Sequence, residues 1–215
     1  MEKTFSALAV ICASLISVSC GSMPHEKSPP LETVPQAVPV VPERPQPPEL
    51  IMGKGLVRGD KLASFLLMNN TRADIDFTAD LSVIYVEEAA AEGVNHDTAF
   101  AQMCLETGFL RYGGLVTPDM NNFCGLGATG LPGPDGPEKG HVFPDPRSGV
   151  RAHIQHLKAY ASDEPLNNVL VDPRYRYVKL GSSPTIYGLT GTWAADKMYS
   201  EKIASILQRL YEFAF

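Results

Sequence analysis

Glu106 closes the run Ala99-Phe-Ala-Gln-Met-Cys-Leu-Glu106-Thr-Gly108, and a carboxyl in that place can act as an acid. The run reads as a helix, with Ala99, Met103 and Glu106 on one face and Gln102 beside them. Asn95 or Asp97 can cap its start, and Gly108 supplies the left-handed residue that stops it. Glu106 then lies in the last turn, where the negative pole of the helix dipole disfavours an anion by roughly 0.3–1 kcal/mol at an exposed site. That repulsion, together with partial burial, raises a carboxyl pKa, and a carboxyl that keeps its proton near neutral pH can serve as a general acid. A surface glutamate tolerating the penalty would fit the same spacing. A second block, Asn121-Asn-Phe-Cys-Gly-Leu-Gly-Ala128, follows it. Its two asparagines can hydrogen-bond a ligand or cap the next turn.

Around these blocks, the periodicity predicts helices. Leu62, Phe65 and Leu66 lie on a short one that Asp60 can cap. Leu81, Ile84, Tyr85 and Glu88 line a helix from about Thr78 to Ala91, which Gly93 ends. Val150, Ile154, Leu157 and Ala161 form the apolar stripe of a later helix, with His153, His156 and Tyr160 on a second stripe. Ile203, Ile206, Leu207 and Leu210 mark an amphipathic C-terminal helix. The stretch from Gly125 to Pro146 is dense in Gly and Pro and reads as loop or a small hairpin, and Asn167 to Ser183 as irregular chain. His153 and His156 sit three apart, near the spacing of a metal clamp. No third ligand is evident, so hydrogen-bonding or surface roles are the expectation. No metal or organic cofactor is implied.

The ends of the chain differ in kind. Lys3 precedes an apolar run from Phe5 to Val18, which is short for a membrane span and fits a secretory signal. Ser17-Val-Ser-Cys20-Gly-Ser22 resembles a bacterial lipoprotein processing site, with Ser17 where Leu, Ile or Val is usual. That resemblance implies removal of residues 1–19 and acylation of Cys20, a membrane anchor of several acyl chains. Residues 20–50 follow as a tether. Half of the chain's 18 prolines fall between Pro24 and Pro48, too little apolar surface to fold and biased toward extended chain. The folded domain is expected over 51–215, long enough for one core. With a formal charge of −6 and no basic run, nucleic acid is not an expected partner. Once Cys12 leaves and Cys20 is acylated, Cys104 and Cys124 remain. An oxidising export route permits a disulfide between them, and two buried thiols fit equally.

Four ordered blocks resemble one known family. They are Ala101-Gln-Met-Cys-Leu-Glu106-Thr-Gly-Phe, Asn121 to Ala128, Gly149-Val-Arg-Ala-His-Ile-Gln-His-Leu-Lys-Ala-Tyr-Ala161, and Leu189-Thr-Gly-Thr-Trp-Ala-Ala-Asp196 with Tyr199 and Lys202-Ile203. Together they are similar to the bacterial glucosaminidase domain of glycoside hydrolase family 73. The resemblance implies an α+β, mainly α-helical, lysozyme-like domain with a small loop or hairpin lobe. It also implies cleavage after N-acetylglucosamine in peptidoglycan glycan strands, with Glu106 matching the family's catalytic acid. A glycosidic oxygen leaves poorly until protonated, and the oxocarbenium-like transition state then needs a second carboxylate or help from the substrate.

The resemblance places that second carboxylate on a hairpin some thirty to forty residues after the acid. Glu138 is the first candidate and Asp145 the next, with Asp135 just before them. Asn121 and Asn122 match the family's asparagine pair, and Trp193 matches the aromatic of its last block. Tyr112, Tyr160 and Tyr199 are further candidates for sugar contact, and Phe123 reads as core. A lytic transglycosylase and a non-catalytic wall-binding lipoprotein would share these features.

Overall fold

A computed structural model describes residues 43–128, 131–133 and 136–215. The signal, Cys20, the tether up to residue 42, and Asp135 lie outside the described residues. Helix α1 spans Gly59–Asn69, α2 Ile75–Glu92, α3 His96–Glu106, α4 Pro146–Ala161 and α5 Tyr199–Ala214. A two-stranded hairpin pairs β1 (Pro132–Gly133) with β2 (Gly136–Pro137), and three short 3-10 turns complete the set. The domain is mainly helical with a small hairpin lobe, as expected.

Local chemistry sets the helix starts. Asp74 accepts from the Phe77 amide and begins α2 three residues before the expected start. Asn95 caps α3 by accepting from the amides of Asp97 and Thr98. Asp145 accepts from the Ser148 amide at 2.8 Å, with Pro146 following it, and so begins α4. Asp60 does not cap α1. The cap position is Arg58, and Asp60 lies in the first turn, where its charge favours the helix N-terminus.

α3 is the centre of the fold. Every residue from His96 to Cys104 is buried, so the helix is enclosed on all sides rather than along one face. Its polar members are therefore bonded across the core. The Asp97 carboxylate accepts from the amide of Leu56 at 2.7 Å, that of Val57 at 3.2 Å, and the Tyr211 hydroxyl at 2.8 Å. α5 and α2 pack on α3, while α1 and α4 pack on α2. Phe65, Tyr85, Phe100, Met103, Phe123, Ile154 and Leu207 fill the space between. Phe123 is core, as the sequence indicated.

Two buried acids on α2 hold the far side. Glu88, read above as part of an apolar stripe, accepts from Arg151 Nε and Arg147 Nη1, both at 2.8 Å. Glu92 accepts from Lys158 Nζ at 3.0 Å and from the amides of Asn167 and Asn168 at 2.8 and 2.9 Å. The irregular chain after α4 is pinned to α2 in this way. At the N-terminal edge the Glu49 carbonyl accepts from Ile186 N at 2.9 Å. Leu50 bridges Thr185 in the antiparallel sense.

Candidate active site

Glu106 is the last residue of α3, and the chain turns sharply after it. Thr107 accepts from the Leu110 amide through Oγ1 at 2.9 Å. Gly108, Phe109, Leu110 and Tyr112 all have φ between 57° and 60°. Left-handed backbone costs a non-glycine residue about 1–2 kcal/mol, so three such residues beside one carboxyl mark a strained, over-determined turn. Asn70 Nδ2 holds it by donating to the Phe109 carbonyl at 2.8 Å. The turn carries Tyr112 to the edge of a hollow of about 390 Å³ that Glu106, Asn122, Gly125 and Trp193 also line.

The two oxygens of Glu106 differ. Oε1 accepts from Trp193 Nε1 at 3.1 Å and from the Tyr199 hydroxyl. Oε2 faces Gly125, where a Cβ would stand 3.6 Å away. With Oε1 occupied by two donors, a proton on this carboxyl resides on Oε2. Burial raises the Glu106 pKa, and the two hydrogen bonds at Oε1 only partly oppose it. The direction matches the sequence expectation, but burial rather than helix position is the main cause.

Of the six hydroxyl, indole and amide candidates, four meet the hollow or the acid. Trp193 and Tyr199 bond Glu106 directly. Tyr112 lines the hollow, and burial holds its phenol neutral, with its pKa pushed up to about 12. Asn122 lines it too, but every part of its amide is engaged. Nδ2 donates to the carbonyls of Leu126 and His141 at 2.9 and 3.0 Å, and Oδ1 accepts from the amides of Leu126 and Cys124 at 3.1 and 3.4 Å. Asn121 has φ 50° and donates to the Phe143 carbonyl at 3.1 Å, which makes it the pivot of the loop. Tyr160 donates to the Thr192 carbonyl at 3.1 Å and packs beside Trp193.

Neither candidate second carboxylate lines this hollow. Asp145 is exposed and engaged as the cap of α4. Glu138 is exposed just after β2, and its amide donates to the Leu131 carbonyl at 2.8 Å. The chain after it returns to the site, since His141 N donates to the Leu126 carbonyl at 2.8 Å. Cys104 and Cys124 are free, buried thiols, and burial raises both pKa values. The two histidines are bonded within the protein. His153 meets Tyr85 and Gln102 through its two ring nitrogens, each at 2.9 Å, and His156 Nδ1 meets Asp172 Oδ2 at 2.7 Å.

Gln102 is the residue whose importance the sequence reading understated. It donates from Nε2 to the Tyr199 hydroxyl at 2.8 Å and so reaches the acid indirectly. Its signal was the four-residue spacing to Glu106, which puts both on one helix face.

Two further hollows adjoin the one that Glu106 lines. A larger one of about 570 Å³ shares Tyr112, and a smaller one of about 240 Å³ shares Cys124, Gly125, Ala128 and Trp193. Glu106 thus lines a hollow that shares a wall with one on the Tyr112 side and with another on the Trp193 side.

The glucosaminidase model, described as mannosyl-glycoprotein endo-beta-N-acetylglucosaminidase, matches residues 82–212. The chain belongs to the glucosaminidase family. The matched span contains Glu106, Trp193 and Tyr199 and ends within α5. The mainly helical glucosaminidase domain is therefore of the lysozyme-like kind that the resemblance implied, and membership supports a peptidoglycan-related glycosidase. An uncharacterized protein of Borreliella burgdorferi is 42% identical over 163 residues, which cover 76% of this chain and 78% of that protein.

Proposed function

We propose that the glucosaminidase domain is an endo-acting β-N-acetylglucosaminidase that cuts peptidoglycan glycan strands, with Glu106 as the general acid. One observation carries this reading: a buried carboxyl with a raised pKa lines a hollow that further hollows adjoin on its Tyr112 and Trp193 sides. Hollows on both sides of the acid give room for sugar units on either side of a bond to be cut. The proton on Oε2 passes to the glycosidic oxygen as the C–O bond breaks, while Trp193 and Tyr199 stabilise the carboxylate left behind. Among the described residues, Glu106 is the only carboxylate lining the central hollow. That favours the substrate's own acetamido group as the partner of the oxocarbenium centre, with Glu138 of the hairpin lobe as the alternative.

The same single carboxylate fits a lytic transglycosylase, and the products separate the two. Digestion of purified peptidoglycan followed by mass spectrometry gives reducing N-acetylglucosamine ends for hydrolysis and anhydro-muramic ends for the transglycosylase. If wild type and Glu106→Gln release equally little sugar while both bind strands, the domain is a binding module instead.

The sequence around Cys20 supports a lipid anchor on the bacterial cell envelope, with the proline-rich stretch as spacer to the cell wall. Metabolic labelling with a fatty acid should mark the full chain and not Cys20→Ser. Equal labelling of both excludes acylation at this position.

A further inference from the structure

Behind Glu106 a line of buried polar side chains crosses the whole core. Tyr85 on α2, His153 on α4, Gln102 on α3 and Tyr199 on α5 are each buried, and none contacts the groove except Tyr199 through Glu106. Their hydroxyl, imidazole and amide groups stand in sequence at 2.9, 2.9 and 2.8 Å, and Tyr199 then bonds Glu106.

The chemistry of the links fixes their direction. A hydroxyl has one proton, and Tyr199 gives it to Oε1. Its lone pair therefore receives Gln102 Nε2–H. That orientation turns the amide oxygen toward His153, and an amide oxygen only accepts. His153 Nε2 must then carry the hydrogen. The ring is neutral, since burial and its neighbour His156 lower its pKa to about 3. Nδ1 is therefore bare and accepts from the Tyr85 hydroxyl. The opposite direction would require Tyr85 to receive from His153 and leave its own proton with no acceptor in a fully buried place, a cost of about 1–3 kcal/mol for an unmade bond.

We propose that Tyr85, His153 and Gln102 are positioning residues that impose one proton direction on this chain, holding the Tyr199 proton on Oε1 and thereby leaving Oε2 as the only oxygen that can carry the acid proton into the groove. Aligned bonds polarise one another, so the effect of a distant member reaches the carboxylate. The inference rests on the reading of Glu106 as the acid. The other titratable groups facing these residues are Cys104, Cys124 and Tyr112 near Tyr85 and Glu106, and His156 with its partner Asp172 near His153.

Nitrogen NMR of the wild-type chain tests the direction without any assay of activity. His153 is expected as the neutral Nε2–H form throughout pH 5–8, and a Nδ1–H form overturns the proposal. Carbon NMR of the Glu106 carboxyl and the pH profile of glycan release test the consequence. His153→Phe removes the donor to Gln102, frees the amide to turn, and loosens Tyr199 from Oε1. The Glu106 titration and the basic limb of the profile should rise by about one pH unit, a tenfold change, as expected on weakening a bond to a charged group. His153→Gln, whose amide can donate to Gln102 and accept from Tyr85, should restore both. A His153→Phe protein that loses rate evenly at all pH values, with the Glu106 titration unmoved, shows that His153 only fills space. If His153→Phe does not fold, the wild-type tautomer still decides. A wild-type chain that releases no sugar would refute the glycosidase, while the two NMR measurements still judge the relay.

Discussion

His153 should make the domain's stability depend on pH well above the carboxylate range. The ring is fully buried, its two nitrogens are bonded, and its pKa is lowered from 6.5 to about 3. Below pH 6.5 the unfolded chain takes up a proton that the folded chain refuses. The unfolded state then binds more protons, so stability falls as pH falls, with a limiting slope of about 1.4 kcal/mol per unit. Between pH 6.5 and 4.5 the loss approaches about 2 kcal/mol, and near pH 3 about 4, against the usual 5–15 kcal/mol of a domain.

Other groups contribute in the same scan. Glu106, raised, acts with the opposite sign, because its folded form gains a proton first as pH falls. Glu88 and Glu92, lowered, contribute a loss only from about pH 4.5 downward, as the unfolded chain protonates. His153→Gln leaves all three in place, so the difference between it and wild type isolates the imidazole. Urea unfolding at half-unit steps from pH 7 to 4.5 measures this. At a slope of about 2 kcal/mol per molar, the gap between the two midpoints should change by about 1.3 M over the range. Parallel curves would mean that the buried ring takes up its proton as easily as the unfolded one, and the argument from burial fails.

Three further outcomes follow from the same structure. Glu106→Gln should reduce glycan release by 10²–10⁴-fold. It should also raise the melting temperature at neutral pH, with the gain fading as pH falls and the wild-type carboxyl protonates; a gain that is constant with pH would refute the raised pKa. Gly149→Ala puts a Cβ 1.7 Å from the Asn121 carbonyl oxygen, so the loop that carries Gly125 must move off α4. A loss of about 1–3 kcal/mol in urea unfolding, together with weakened glycan release, is expected, and an unchanged midpoint would show that the loop gives way freely. Lys158→Met leaves Glu92 buried without its cation and should cost about 3–5 kcal/mol by thermal or urea unfolding. Adding Glu92→Gln should recover part of that loss, since the uncompensated charge is gone, although only one of the Asn167 and Asn168 amides keeps an oxygen; no recovery would mean that the charge was not the cause.

Much of the helical frame was legible in the residues. The sequence offers Asn95 or Asp97 as the cap of α3 and Gly108 as its stop because both signals are local, and the structure uses Asn95, with Asp97 buried in the first turn. The place of Glu106 at the end of that helix is legible, but the burial that raises its pKa is not. The apolar period places the start of α2 three residues late because Asp74 stands apart from the first apolar positions, and Asp60 lies just inside α1 rather than at its cap. Glu88 looked like one side of an amphipathic helix and proved to be the buried anchor of two arginines. Asp145 illustrates the same limit. Its spacing after Glu106 fitted a catalytic partner, but the proline and serine that follow make it a cap.

The sequence alone determined which segments become helices and which residue types could give or take a proton, since capping, turn geometry and apolar period act over a few neighbours. Only the tertiary structure decided how Glu106 is oriented. Trp193 and Tyr199 lie some ninety positions away in the chain and meet it because α5 packs on α3. Gln102 and His153 become linked because both are enclosed where α3 meets α4. Burial and hydrogen-bond partnership are properties of the packed core, and no spacing along the chain can state them.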